Sequence, residues 1–155
     1  MKKLSAALLF LSLVACVRAD EIGEVSTAFI LIGANHKVVV EAYDDPKVNG
    51  VTCYVSRAKT GGVRGAIGLA EDKSEASIAC RQVGPISFKS TAPPQQEEMF
   101  SERISILFKR LRVVRMFDRK RNVLVYLTYS DRLIDGSPQN SVTAVPLGQA
   151  GLPGK

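Results

Sequence analysis

The chain has 155 residues, with 21 lysines and arginines, 15 acidic residues, one histidine, three cysteines and no tryptophan. This length predicts one domain with a modest core, and the scarcity of aromatic residues argues against a platform for stacked bases or sugars. One histidine and the lack of a Cys-x-x-Cys spacing argue against a zinc site or a redox centre, so we expect no metal and no cofactor.

The N-terminus has the pattern of an export signal. Lys2 and Lys3 precede an apolar run from Leu4 to Ala15, which has the length of a secretory h-region and is too short to span a membrane. The small residues Val17 and Ala19 occupy the −3 and −1 positions of a cleavage site. Residues 1–19 are therefore predicted to be a signal peptide, and the protein is predicted to be periplasmic.

Cys16 supports a second interpretation of the same segment. Residues 13–16, Leu-Val-Ala-Cys, are typical of a lipobox. In that case the signal covers residues 1–15 and Cys16 is lipidated, which anchors the protein to the membrane, facing the periplasm. We expect membrane contact only in this alternative.

Removal of residues 1–19 changes the charge and leaves two thiols. The remaining 136 residues contain 18 basic and 15 acidic residues, a net charge of +3, so we expect no nucleic-acid partner. Cys53 and Cys80 are the cysteines of this segment. In an oxidising periplasm they are predicted to form a disulfide; the alternative is a pair of buried free thiols.

The first half of the mature chain has the patterns of β-strands. The mature fold is expected to begin with the segment from Ile22 to Phe29. The β-branched segments 37–43 and 51–57 are predicted to form a hairpin with its turn at Asn49-Gly50. A further strand is expected over Ser77–Val83, ended by Gly84-Pro85.

The second half continues this pattern. Alternating apolar residues predict a strand from Phe100 to Phe108, and segments 113–117 and 123–129 flank a polar turn in a second hairpin. Short helices are expected at Glu71–Ser74 and at Gln139–Ala144. The prediction is one mainly β domain over residues 20–147, barrel- or sandwich-like with one or two short helices, followed by a flexible tail over residues 148–155.

Two regions are candidate surfaces for an anionic ligand or a partner. The glycine-rich segment 61–68 contains Arg64 and follows Arg57 and Lys59, and its backbone amides suit an anion; the alternative is a tight β-connection. Between Arg103 and Arg121 there are eight basic residues and one acid. This stretch is either an electropositive surface or a solvated strand face. The candidate residues in it are Lys109, Arg110, Arg112 and Arg115.

An enzymatic interpretation depends on Ser56 and Lys59. They match Ser-x-x-Lys, and Lys59 also begins Lys-Thr-Gly, but in penicillin-recognising enzymes these motifs lie on separate elements of a much longer chain. A site would have to assemble around Ser56, Lys59 and polar residues such as Asp44, Asp45 and His36. The sequence therefore leans against an enzyme without deciding the question.

Several long strings resemble one family. They are residues 21–23, 36–46, 50–62, 68–72, 82–86 and 113–131, within a resemblance that runs from about residue 21 to 147. On these strings the chain is identified as a member of the CreA family, also called catabolite regulation protein A, a family of small exported bacterial proteins.

The resemblance implies little chemistry. The family supplies no catalytic residues to carry over, and its name reflects genetic context. Cys53 and Cys80 both lie in matching strings, which favours the disulfide, whereas relatives lack a lipobox cysteine like Cys16. We therefore expect a non-enzymatic protein of the cell envelope whose partner is an envelope protein or an anionic ligand; the alternative is a small periplasmic enzyme.

Overall fold

The computed structural model describes residues 19–27, 36–60, 76–90, 94–104, 110–131 and 139–148. All regular elements in these ranges are β-strands. They are β1 (Asp20–Ser26), β2 (His36–Asp44), β3 (Val48–Thr60), β4 (Ala76–Phe88), β5 (Gln96–Arg103), β6 (Arg110–Asp118), β7 (Val123–Ser130) and β8 (Asn140–Pro146).

The strands form two antiparallel four-stranded sheets. Sheet A has the order β1-β2-β3-β4 and sheet B has the order β5-β6-β7-β8, so each sheet follows the chain order. Their inner faces share one core, in which the rings of Tyr43 from sheet A and Phe100 from sheet B stack with centroids 3.8 Å apart. The predicted mainly β domain is confirmed, and of the two predicted architectures it is the sandwich-like one.

Alternation along the strands explains which residues are inside. Every second residue of β7 is buried, from Leu124 to Ser130, and the same period holds from Cys53 to Arg57 in β3. Because successive side chains of a strand point to opposite faces, this period predicts one buried face for each sheet. β1 differs, since all seven of its residues are exposed.

The sandwich has two ends, the turn end and the far end. The turn end contains the β2–β3 turn at residues 45–47, the end of β4, the start of β5 and the β6–β7 turn at residues 119–122. Contacts between Asp45 and Arg115 and between Phe88 and Phe117 place these segments of the two sheets together. The far end contains the first residues of β2, β4, β6 and β8.

The predicted hairpin of β2 and β3 is confirmed, but its turn lies elsewhere. The turn is formed by residues 45–47, where Asp45 Oδ1 accepts hydrogen bonds from the backbone N–H groups of Lys47 and Val48 at 2.8 and 2.9 Å. Gly50 lies inside β3, at a register shift between Asn49 and Val51, with φ of +77°. The Asn-Gly signal was therefore correct about positive φ and wrong about the turn.

Gly50 gives a first testable expectation. A Cβ at this position would lie 2.4 Å from the carbonyl oxygen of Pro85 and 2.7 Å from that of Gly84. Because both contacts are with backbone and φ is positive, Gly50→Ala is expected to lower the free energy of unfolding by about 2 kcal/mol or more. Gly23→Ala is the control in urea unfolding, since nothing lies within 4 Å of its added Cβ; equal losses for both variants would contradict the expectation.

The other predicted elements divide into three groups. The hairpin of β6 and β7 is confirmed, with Asn122 at φ of 55° in its turn. Gly84-Pro85 does not end β4, which continues to Phe88. The predicted helix at residues 139–144 is wrong, because this segment pairs with β7 as β8. The predicted helix at residues 71–74 and the tail beyond Gly148 lie outside the described residues.

The geometry supports the predicted cysteine pair. Cys53 on β3 lies directly opposite Cys80 on β4, and their sulfurs are 2.01 Å apart. Both residues are only 1% exposed and belong to the shared core. The bridge therefore joins two neighbouring strands of sheet A within the packed interior.

Candidate functional site

A buried group of charges joins the two sheets near the turn end. This Asp45 cluster consists of Asp45, Lys47, Glu97, Arg115 and Tyr126. Arg115 Nη1 donates to both carboxylate oxygens of Asp45 at 2.7 Å, and its Nη2 donates to Glu97 at 2.7 Å. The Tyr126 hydroxyl donates to Asp45 at 2.9 Å, and Lys47 pairs with Glu97. The formal charges of the cluster sum to zero.

Arg115 is inside because of the strand on which it lies. It occupies the same face of β6 as Leu111, Val113 and Phe117, all of which are buried. A guanidinium on that face needs carboxylates, because an unpaired buried charge is very costly. Its side chain is 2% exposed and that of Asp45 is 0% exposed, so this ion pair is excluded from solvent.

A second neutral group, the Glu41 cluster, lies further along the interior. It consists of Glu41, Tyr43, Arg57, Lys59 and Glu102. Arg57 donates to Glu41 at 2.9 Å and to Glu102 at 2.6 Å. Lys59 donates to the other oxygen of Glu41 at 2.7 Å, and the Tyr43 hydroxyl donates to Glu102 at 3.0 Å. Glu102 comes from sheet B, so this cluster also joins the sheets.

The electrostatics of both clusters favour fixed protonation states. Burial and the neighbouring Glu102 raise the pKa of Tyr43, and burial and Asp45 raise the pKa of Tyr126. Burial alone would raise the pKa of Glu41, but the hydrogen bonds from Arg57 and Lys59 outweigh it, so the pKa is lowered. The two tyrosines therefore act as hydrogen-bond donors, and Glu41 is an anion that its neighbours already engage.

A cavity of about 400 Å³ opens at the far end of the sandwich. Its lining includes the hydroxyl side chains of Ser56 and Ser77, together with Gln139 from the segment before β8. Among the described residues that line it, Arg57 is the one titratable group. No carboxylate, histidine or lysine among them could take a proton from either serine, although a serine nucleophile needs such a base.

The turn end presents a group of surface cations, which we call the turn-end cations. They are Lys47, Lys89, Arg119, Lys120 and Arg121. The backbone N–H of Lys89 donates to the Lys47 carbonyl oxygen at 2.9 Å, and Arg119 lies over the ring of Phe117 at 5.2 Å. Within the described residues, Lys89, Arg119 and Lys120 form no ion pair, whereas Lys47 pairs with Glu97 and Arg121 with Asp118.

Neither a metal site nor a membrane-spanning helix is found among the described residues. The ranges that the structure describes contain no group of three His, Cys, Asp or Glu side chains placed to hold a metal ion. In the same ranges no helix has the length and apolar character needed to cross a membrane.

Comparison with known proteins decides the family. The model of the CreA protein family matches residues 22–150. The chain belongs to the CreA family. Protein CreA of Escherichia coli strain K12 is 52% identical over 149 residues, which cover 94% of this chain and 95% of the relative. The same values hold for Protein CreA of strain O157:H7. No solved structure matches the chain.

Membership in the CreA family confirms the resemblance drawn from the sequence, and the structure now places the predicted binding residues. Arg57 and Arg115 are buried and held by carboxylates, so neither contributes to an exposed basic surface. Lys59 is 26% exposed and bound to Glu41, and Arg112 is bound to Glu98 and Asp131. Arg110 is exposed at the far end. The remaining predicted residues, Arg64, Lys109 and Cys16, lie outside the described residues.

The residues of the enzymatic alternative are not brought together in this CreA-family fold. Ser56 and Lys59 are three positions apart on β3, so their side chains point to opposite faces of sheet A. His36 and Asp44 lie at opposite ends of β2, and Asp45 is in the turn beyond Asp44. Lys47 and Lys89 were not predicted to belong to a binding surface. They lie near Arg119 and Lys120 only because the fold brings these parts of the chain together.

The lowered pKa of Glu41 predicts a loss of stability in acid. Because the folded pKa lies below the ordinary value of 4.5, the contacts of Glu41 contribute stability above about pH 4.5, and this contribution is lost as the pH falls through the folded pKa. We expect urea unfolding to show Glu41→Gln less stable than the natural protein at neutral pH, with the two converging in acid. A constant difference at all pH values would contradict this, and the exposed Glu21→Gln is the control.

Proposed function

We propose that this protein acts in the bacterial cell envelope as an exported binding protein without catalytic activity of its own. The proposal rests on one observation, which is that the buried charged side chains are paired with one another. In the described residues the buried acids and bases of the Asp45 and Glu41 clusters neutralise one another across the two sheets. Groups held in this way stabilise the sandwich, whereas general acids and bases need a free position beside a substrate.

Two features support the envelope location. The chain begins with lysines and an apolar run typical of an export signal, and its cysteine pair has geometry compatible with a disulfide. Disulfides persist mainly outside the reducing cytoplasm. The bridge would therefore form after export and fix β3 against β4.

The proposed partner is an anionic molecule or an acidic surface of the envelope. The cations that remain available at the turn end are long side chains on one side of a rigid sandwich. Such an arrangement attracts a diffuse negative charge and needs no enclosed pocket. Binding would then depend on ionic strength.

Cell fractionation tests the location. Cells producing the full chain are treated by osmotic shock, and the protein is followed beside a cytoplasmic marker and a periplasmic marker. We expect release with the periplasmic marker, or retention in the membrane fraction in a protease-accessible form when Cys16 is lipidated. Recovery with the cytoplasmic marker at the mass of the full precursor would contradict the proposal, and a chain lacking residues 2–19 is the control that stays inside.

A further inference from the structure

The turn-end cations and the start of β1 lie at the same end of the molecule. Asp20 pairs with Ala42 and Ser26 pairs with Lys37, so β1 begins beside the β2–β3 turn and runs away from it. The apolar run that ends at Ala15 and the cysteine at position 16 precede Asp20 by only a few residues. The described chain therefore enters the sandwich at the turn end, a few positions after Cys16.

We propose that the turn-end cations bind the phosphate headgroups of an anionic membrane surface and hold the turn end against it. The proposal deepens the proposed function, on which it rests, by naming the ligand class and the surface. Its first support is charge. Lys89, Arg119 and Lys120 have no ion-pair partner within the described residues, and each basic side chain near an anionic membrane contributes to binding.

The position of the chain start favours a membrane over an acidic protein. The apolar leader inserts into the membrane during export, so the turn end starts close to the headgroups, and a lipid on Cys16 would keep it there after the leader is removed. The exposed Asp44, at the end of β2, accepts a hydrogen bond from Thr52 at 2.6 Å and offsets only part of the charge of the five turn-end cations. Glu97 and Asp118 are already paired, and the exposed Asp20 and Glu21 lie on β1, three strands from β4 across sheet A. That separation of about 14 Å exceeds the screening length at physiological salt.

The arrangement of the turn-end cations suits contact with a membrane surface better than binding of a single ion. Lys89 Nζ donates to the carbonyl oxygen of Pro46 at 3.0 Å, and Arg119 donates to the Gln95 side chain at 3.3 Å. These contacts orient the two cations on the β4 and β6–β7 segments and leave their remaining N–H donors for other acceptors. They belong to different segments around the end of the sandwich, as contact with many phosphate groups requires.

Vesicle binding tests the proposal directly. The full chain carrying Cys16→Ala is produced in cells and the exported protein is purified, so that no acyl chain can contribute. It is sedimented with vesicles of phosphatidylglycerol and phosphatidylcholine, and with vesicles of phosphatidylcholine alone. We expect binding to the anionic vesicles, none to the neutral ones, and a steep decrease with added salt.

Two variants with equal loss of charge locate the surface. Lys89→Gln combined with Lys120→Gln removes two turn-end cations, and Lys37→Gln combined with Arg110→Gln removes two cations from the far end. The turn-end pair should weaken vesicle binding about 25-fold, and the far-end pair should weaken it less than about threefold. We expect both variants to be folded, because Lys89, Lys120 and Arg110 are exposed and Lys37 is half-buried, and urea unfolding checks this.

Three outcomes would overturn the proposal. Equal weakening by the two variants would mean that net charge alone determines binding. Loss of vesicle binding in inorganic phosphate, but not in chloride of the same ionic strength, would indicate a discrete phosphate site. Failure to bind anionic vesicles, with Lys89 and Lys120 still needed for cross-linking to an envelope protein, would assign the surface to an acidic protein partner. Each of these leaves the fractionation test of the proposed function unaffected.

Discussion

Replacement of Arg115 by methionine is expected to lower the free energy of unfolding by about 3 to 5 kcal/mol. The variant keeps most of the side-chain volume and removes the charge that both Asp45 and Glu97 contact. Asp45, which is completely buried, would then keep a carboxylate without its cation. Because small domains have only about 5 to 15 kcal/mol of net stability, this one change removes a large part of it.

Two comparisons show whether this loss comes from the buried ion pair. One uses an ion pair on the surface, and the other is a double variant. Arg121→Met removes the cation that pairs with Asp118 on the surface, and the urea midpoint should hardly change, because exposed pairs contribute little. Asp45→Asn combined with Arg115→Met should cost at least about 1 kcal/mol less than the sum of the two single variants. An additive double variant, or an Arg115→Met midpoint like that of Arg121→Met, would contradict the buried cluster.

Removal of the cysteine bridge should have the next largest effect. Cys53 and Cys80 are separated by 27 positions, and closing such a loop stabilises a folded chain by about 3.5 kcal/mol in the chain-entropy description. We expect Cys53→Ala combined with Cys80→Ala to lose about this amount in urea unfolding. The double variant isolates the bridge because alanine leaves no thiol in the core.

Reductant provides the matched comparison for this second result. The natural protein unfolded in the presence of dithiothreitol should approach the midpoint of the double alanine variant, and the variant itself should not respond to reductant. If the natural protein unfolds at the same urea concentration with and without reductant, the bridge contributes nothing to its stability. Two free buried thiols, the alternative drawn from the sequence, would then be the better description.

Much of the fold is predictable from the sequence because the strands alternate regularly. The β-branched segments that form β2 and β3, and the polar turn between β6 and β7, indicate both hairpins. The turn of the first hairpin was misplaced because Asn49-Gly50 satisfies a bulge as well as a turn, and because the carboxylate of Asp45 stabilises the real turn. A local pattern does not distinguish these uses of positive φ.

The misassigned helix has a similar cause. The polar residues at the start of 140–146 led to the helix prediction, whereas the β-branched Val142, Thr143 and Val145 favour an edge strand. Pairing with β7 decides in favour of the strand, and that pairing is a property of the whole sheet. The secondary structure of such a short segment is determined by the strand it pairs with rather than by its own residues.

The buried charges were the largest difference between sequence and structure. A signal was present, since Arg115 occurs in phase with Leu111, Val113 and Phe117, and this period predicts an inward side chain. The partner could not be found in the same way, because Asp45 lies 70 positions earlier in another sheet. Part of the turn-end surface was indicated by the sequence, since Arg119 lies in the basic stretch from Arg103 to Arg121. Lys47 and Lys89 could not be added to it, because they join Arg119 only after both sheets have packed.

The most direct test combines export and the cysteine pair in one measurement. The protein is isolated from the periplasmic fraction, its free thiols are alkylated in denaturant without reductant, so that buried thiols also react, and its intact mass is determined. We predict the mass of residues 20–155 with no alkyl group on Cys53 or Cys80. A mass of the full 155-residue chain with alkyl groups on both cysteines would contradict export and the bridge together.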